Sequence, residues 1–495
     1  MAGERTRGRT NVLVNLRPTD RLRKGNGAVV RSVLGSIVHA VGDESLDLEK
    51  LRIVCDWVQY KNSFRDPVEI RPIVNGSAVE RLEIGVDLRR ASGGQHDVRL
   101  EMARALARRT ASDRHYLEPW SRTMASLIWS FNALYWKALG LWEAVSGRPY
   151  EQALPGGASD ARNSAAARDT ILRLFSIWDR LAERRALPDQ LHVLEIGVGN
   201  GNQARVWLDT FVEIDREMGR DYYRRLHYLM GDYSAHLLDI ARAQLSGHEE
   251  HTSSLVLDAM KPSNTLGFLK YKTFFVYISN VYDNLPTEEI ARIDGHLFQV
   301  ETRAFLSADA AETIAAGIGS TPAGLHDLIA RLLRLGPELL AETEPHRFAD
   351  AHAAVRFWAA VWAGIGLEER YVALPPLDEY QFAPGMNGEV LRPLMEANGD
   401  VRMHVSNGAA ASFVDTLPLL HPHGLLECHD IFVTSLEGYA SGFRGPGKYE
   451  GSVVNWVNGN VLAALGGRRG FDVAFRKFAF RAGSNITTMT TEVRE

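Results

Sequence analysis

The chain has 495 residues, 45% of them hydrophobic, a formal net charge of -5 and two cysteines. A globular chain of that size holds two or more domains with a full core, and its mild acidity gives no global attraction for nucleic acid or an anionic membrane surface. Cys55 and Cys428 stand far apart in sequence, which excludes a disulfide framework and a cysteine-rich zinc site and fits a reducing cytoplasm.

Residues 1–31 are rich in arginine but contain Glu4 and Asp20 and no apolar h-region, so they read as a basic, disordered tail and not as a signal peptide. No window approaches about eighteen consecutive apolar residues, and no membrane span is expected. Between Leu51 and Leu88 a strand-like pattern places Val68, Ile70 and Val74 before Asn75-Gly76 and Leu82, Ile84, Val86 and Leu88 after it, the signature of a hairpin. Both apolar sets fall mostly on even numbers, whereas a strict two-residue turn pairs even with odd, so a longer loop or a bulge is predicted. From Ser121 to Gly147 apolar residues such as Leu127, Phe131, Leu134, Tyr135 and Trp142 recur at helical spacing and predict one long amphipathic helix. Residues Gly156–Ser164 read as a loop, and a second helix carrying Ile171, Leu174, Phe175, Trp178 and Leu181 on one face follows.

That helix leads into Leu191–Asn202, Leu-His-Val-Leu-Glu-Ile-Gly-Val-Gly-Asn-Gly-Asn. An apolar run opening into alternating glycines predicts a buried strand, a tight loop and a helix, the arrangement of a nucleotide-type cofactor site. Gly197, Gly199 and Gly201 follow G-x-G-x-G, while the dinucleotide fingerprint needs glycine where this chain has Asn202, which argues against a pyrophosphate. A second strand, 226–230, ends at Gly231-Asp232-Tyr233-Ser234. An ionised carboxylate there can accept hydrogen bonds from both hydroxyls of a ribose, which makes Asp232 the candidate, with helix capping as its alternative. A third strand, 254–257, ends in Asp258-Ala259, and a fourth, 273–278, runs into Ser279-Asn280-Val281-Tyr282-Asp283-Asn284-Leu285-Pro286. In a doubly wound sheet the carboxyl ends of such strands converge on one crevice.

From 299 to about 384 the pattern is mainly helical and reads as an inserted lid that excludes water from the site. The sheet resumes at 424–432, a glycine-rich loop spans 438–451, and 452–458 leads into a helix closed by Gly466-Gly467. His429 beside Asp430 invites a base, but no further ligand stands at a metal-binding spacing, so no metal is assigned.

The pattern hydrophobic-hydrophobic-Glu-hydrophobic-Gly-x-Gly-x-Gly resembles motif I of class I S-adenosylmethionine (SAM) methyltransferases, and the order of features resembles their MidA-like branch, which includes a mitochondrial complex I assembly factor that methylates an arginine. The similar segments are Glu195–Gly201, Asp232-Tyr233-Ser234 with Leu237 and Leu245, Ser279–Pro286, Asp430-Ile431-Phe432, Val457-Asn458 and Gly470, over roughly Ser164 to Phe475. The resemblance implies an α/β fold: a Rossmann-like doubly wound class I methyltransferase sheet with a helical insertion and an N-terminal accessory α+β region. It implies S-adenosyl-L-methionine as cofactor, held by Glu195, Gly197, Gly199, Asn200, Gly201, Asp232, Tyr233, Asp258, Ala259 and Ser279. Glu195 is implied near its amino-acid end and Asp258-Ala259 near its adenine. Two departures stand out: Ser279-Asn280 replaces the family's Asn-Glu, so a carboxylate suited to a guanidinium has become an amide, and the Asp-Tyr-Gly position keeps only Asp430.

The expected domains are an accessory region with a hairpin over 1–120, a helical lead-in over 121–185, the SAM-binding domain over 186–298 and 385–495, and the helical lid over 299–384. The expected activity is methyl transfer to an N or O nucleophile of a protein or small molecule, with Asp283 and then Asp430 as proton acceptors and Asn280 and Tyr282 orienting the substrate. A catalytically silent SAM-fold scaffold and a nicotinamide dehydrogenase are the alternatives, the latter opposed by Asn202. No nucleic-acid partner is expected, the location is cytoplasmic, and a homodimer is compatible with these features.

Overall fold

The computed structural model describes residues 50–495 apart from 57, 59–61, 77, 93–96, 108–112, 151–163, 397–398, 440–444, 481–482, 484 and 495, together with 35, 36 and 39. The tail 1–31, most of the loop at 156–164 and the middle of the glycine-rich loop at 438–451 therefore lie outside the described residues. Among the described residues no helix is long and apolar enough to cross a membrane.

Seven strands form the sheet that carries the glycine loop. They are β1 (Leu191–Ile196), β2 (Leu226–Asp232), β3 (Thr252–Val256), β4 (Thr273–Ser279), β5 (Leu420–Asp430), β6 (Phe471–Lys477) and β7 (Thr487–Val493), in spatial order β3-β2-β1-β4-β5-β7-β6. The first five run parallel, and β7 pairs antiparallel with both β5 and β6. Central strands buried on both faces read as continuous apolar runs, and β1 and β4 show why. Val193 belongs to a core layer with α3 (Ser164–Glu183) and α4 (Asn202–Glu217), while Leu194 and Ile196 belong to one on the opposite face with α6 (Gly459–Arg468). This is a doubly wound, Rossmann-like sheet. Its strand order reverses between β1 and β4, which is where such sheets open a ligand crevice.

The remaining strands form a second, curled sheet. Leu51–Asp56, Ala78–Asp87, Val68–Asn75, Gly366–Ala373, His296–Ser307, Glu289–Ile293 and Val401–His404 lie side by side in that order, and Arg114–Tyr116 and Ser121–Arg122 pair along His296–Ser307. Arg52 on the first strand reaches Asp400, beside the last, at 2.5 Å, so the sheet folds back on itself. The hairpin has its bulge: Val68 faces Val86 and Ile70 faces Ile84, and the register slips between Ile73 and Val74.

Two expectations need correction. Segment 299–384 does supply three helices, Ala308–Gly317, Pro322–Thr343 and Ala351–Gly364, but they are bracketed by two strands of the second sheet, which also takes in the N-terminal hairpin. These strands carry charge where a half-buried strand would show an apolar residue: Glu301 lies opposite Arg370 and Arg303 opposite Glu368, paired at 2.8 and 2.7 Å. The helix foreseen over 121–147 is two helices, α1 (Leu127–Lys137) and α2 (Leu139–Ser146), parted at Ala138 (φ -108°). The break turns α2 so that Trp142 meets both Tyr135 and Trp358, at ring distances of 5.5 and 4.6 Å, a case of packing overriding a continuous helical pattern.

Candidate active site

The loop after β1 needs glycine three times. Gly197, Gly199 and Gly201 have φ of +80°, +57° and +79°, a region costly for side chains with a Cβ. There is also no room: a Cβ on Gly197 would enter Val281, one on Gly199 would lie 2.6 Å from the Tyr150 hydroxyl, and one on Gly201 would lie 2.7 Å from the Cα of Ala241. The loop is pinned to β2, with the Gly197 N–H donating to Gly231 O at 2.7 Å and the Gly199 N–H to Asp232 Oδ2 at 2.9 Å. Asn200 accepts from the Asn202 N–H at 3.2 Å and starts α4.

Asp232 closes this arrangement. It is 8% exposed, and its Oδ1 accepts the Ser234 N–H at 2.9 Å, so the carboxylate clips together the glycine loop and the start of α5 (Ala235–Gln244). Burial pushes its carboxyl up to about 6, against the pull of those N–H donors. Each oxygen retains a second lone pair for a ligand hydroxyl. Tyr233 beside it is 42% exposed. Asp258 is exposed and accepts from the Met260 N–H, and the Leu257 N–H donates to Asp232 O at 2.8 Å, which sets the exposed Asp258 and half-buried Ala259 next to the Asp232 corner.

Glu195, by contrast, is turned into the layer of α3 and α4, 2% exposed, and accepts the Tyr228 hydroxyl at 2.6 Å. Burial first, and then Asp232, push its carboxyl to about 8 from an ordinary 4.5. A folded-state value above the unfolded one means stability is lost as pH rises from 4.5 towards 8. Glu195→Gln keeps an acceptor for Tyr228 and cannot ionise. Thermal melts are expected to show the variant gaining about 1–3 kcal/mol over the parent at pH 8 and little at pH 5; equal shifts at both values would refute it.

The second wall of the crevice follows β4. Ser279 is half-buried, and Asn280 adopts φ +51°, its N–H donating to His429 O at 3.0 Å; a non-glycine residue held there marks a site where surrounding structure dictates the backbone. Val281 abuts Gly197, so the two loops touch. Asp283 is 8% exposed, its Oδ1 accepts from Asn284 Nδ2 at 2.7 Å, and burial raises its carboxyl to about 6. Tyr282, expected to orient substrate, is 1% exposed and packs into the core beneath the loop.

Asp430 also has a different place from the one expected. It is fully buried, Oδ2 accepts the N–H groups of Tyr282 and Asp283 at 2.9 and 3.3 Å, and Oδ1 accepts the Ile431 N–H at 2.7 Å. Burial and the neighbouring Asp283 hold its carboxyl well above the usual range. It is a positioning residue for the loop. His429 is tied to Thr488 at 2.9 Å and Glu427 at 3.1 Å, and no three His, Cys, Asp or Glu among the described residues are grouped to hold a metal.

Three neighbours carried no motif. Tyr150 covers Gly199. Asn132 on α1 donates to Asn284 O at 2.8 Å and accepts the Val453 N–H at 2.9 Å, and Asn455 donates twice to Asp283 O, at 2.8 and 2.7 Å. Only Asn455 had a visible cue, its place just before Val457-Asn458.

No family model and no curated protein matches the chain. Solved structures that resemble it include a Burkholderia thailandensis protein bound to S-adenosyl-homocysteine, at 13% identity over 75% of this chain and 88% of that one, TM-score 0.44. Others are the DszA carbon methyltransferase, at 12% identity over 86% and 74% with TM-score 0.32, and an O-methyltransferase family protein from Burkholderia thailandensis, at 10% over 72% and 69% with TM-score 0.27. At such scores the strand order and side chains of the chain itself carry the assignment.

Proposed function

We propose that the chain is a SAM-dependent methyltransferase acting on an N or O nucleophile, working in a reducing cytoplasm with its two cysteines buried and outside any disulfide. The observation that carries this is the cradle at the β1/β4 reversal, where three positive-φ glycines that no Cβ could replace are clipped by Asp232. The cradle fits SAM: the glycine loop with Asn200 admits the cofactor closely, Asp232 serves the ribose, Tyr233, Asp258 and Ala259 flank the adenine, and Ser279 faces it from β4. When bound, the cofactor supplies an activated methyl group on a sulfonium. The protein contributes alignment, a dry pocket and a proton acceptor. Asn280 orients the nucleophile and Asp283 takes its proton, with Asp430 holding the backbone of Asp283 in place.

Calorimetry on the purified chain tests the reading directly: micromolar binding of SAM and S-adenosylhomocysteine is expected, and none at high micromolar concentration ends it. Asp283→Asn is expected to leave that binding unchanged and to slow transfer of a labelled methyl group by about 10²–10⁴, the usual worth of a general base. Because Asp283 acts ionised and its carboxyl sits at about 6, the parent rate should rise as pH climbs through that value and level off above it. A rate independent of pH between 5 and 8 would remove Asp283 from this role.

A further inference from the structure

Acceptor atoms without donors surround Asp283. Asn455 is 1% exposed and spends both amide hydrogens on carbonyl oxygens, Asp283 O at 2.7 Å and Leu285 O at 3.2 Å. Those two bonds fix the amide's orientation and leave its Oδ1 buried with no donor among the described residues. Asn284 repeats the pattern: its Nδ2 donates to Asp283 Oδ1 at 2.7 Å, and its own Oδ1 is buried with no donor among the described residues. A buried acceptor left unmet costs about 1–3 kcal/mol, so two of them beside a buried carboxylate make a surface that calls for a ligand rich in donors.

Counting donors selects among nucleophiles. A hydroxyl brings one donor and so meets one of the two unmet amide oxygens at a time. A guanidinium wants both oxygens of one carboxylate in a planar fork, and Asp283 Oδ1, which already accepts from Asn284, offers it one remaining lone pair there and leaves the two amide oxygens outside the fork. An ammonium brings three donors and no acceptor, a match in number for Asn284 Oδ1, Asn455 Oδ1 and the Asp283 carboxylate.

We infer that the acceptor of this enzyme is a primary alkylamine, received by the side chains of Asp283, Asn284 and Asn455. This rests on the methyltransferase reading. On transfer of one ammonium proton to the Asp283 carboxylate, the nitrogen is left neutral with its lone pair and the carboxyl group neutral.

The test is ligand-observed NMR or calorimetric titration of the full chain with saturating S-adenosylhomocysteine, using n-butylamine, an Nα-acetyl-lysine amide, n-butanol and n-butylguanidine as probes. Both amines should bind at least about tenfold more tightly than the alcohol and the guanidine, the worth of one hydrogen bond to a charged donor. A preference for the lysine derivative identifies a protein side chain as the source, and a preference for butylamine a free amine. Asn284→Ala should weaken amine binding about tenfold with S-adenosylhomocysteine affinity retained, and Asn284→Gln, which keeps both an amide oxygen and an amide donor, should recover part of it. Alcohol or guanidine binding as tight as the amines, or no amine binding although S-adenosylhomocysteine binds, so that ordered water alone fills the subsite, overturns the inference and leaves the methyltransferase reading standing. Loss of S-adenosylhomocysteine binding itself would instead remove that reading.

Discussion

Gly201→Ala is expected to abolish S-adenosylhomocysteine binding and to destabilise the chain by about 2–5 kcal/mol, the sum of a left-handed backbone at an L-residue and an overpacked contact. Gly201 has φ +79°, ends the cradle and begins α4. The atoms a new methyl would meet are the Cα of Ala241 at 2.7 Å and its Cβ at 2.8 Å, on the facing helix α5. Backbone cannot swing aside as a long side chain can, so relief must come from moving α4 against α5. That motion drags Asn200 and Gly199 away from Asp232 and opens the cradle. Gly197→Ala meets only a methyl of Val281, so the paired substitution Val281→Ala should recover part of its loss, whereas no partner change rescues Gly201→Ala. Denaturant unfolding and calorimetry of both variants check this, and wild-type affinity in Gly201→Ala would show that the loop does not hold the cofactor.

How much of this was legible follows from where each strand sits. β1, β2 and β4 are buried on both faces by the helices around them, so their apolar runs and the polar residues at their ends mark the crevice plainly. The second sheet hides because its strands answer charge with charge: Glu369 pairs with Arg402 at 2.9 Å and with Arg71 at 3.0 Å, partners far apart in sequence, and no local periodicity announces them. Such buried pairs are worth little unless the geometry is good, and they make the curl a product of tertiary structure that a local pattern cannot show. At the candidate site, Asp232 and the glycines stand out in the sequence because each follows the apolar run of a buried strand. The buried partners of Glu195 and Asp430 could not be read, since a carboxylate in a motif looks the same whether it faces a ligand, a tyrosine hydroxyl or backbone N–H groups, and Tyr150 left no cue because its contact with Gly199 spans two elements.

Asp430 provides the other large effect. Asp430→Ala should cost about 3–5 kcal/mol, since it leaves the N–H groups of Tyr282, Asp283 and Ile431 buried without an acceptor at about 1–3 kcal/mol each, offset in part by relief of a buried carboxyl. Asp430→Asn keeps one oxygen for Tyr282 and Asp283 but turns an amide donor towards the Ile431 N–H, so about 1–2 kcal/mol is expected. The kinetic signature separates holding from acid–base work. If Asp430 acts only through the loop, turnover should fall in both variants, more in alanine than in asparagine, with S-adenosylhomocysteine affinity retained because the glycine cradle rests on β2. The acidic limb of the rate profile should then stay near 6, the value burial gives the Asp283 carboxyl. A limb displaced by a full pH unit in Asp430→Asn would mean that the two carboxyls titrate as one acid–base pair and that Asp430 shares the proton.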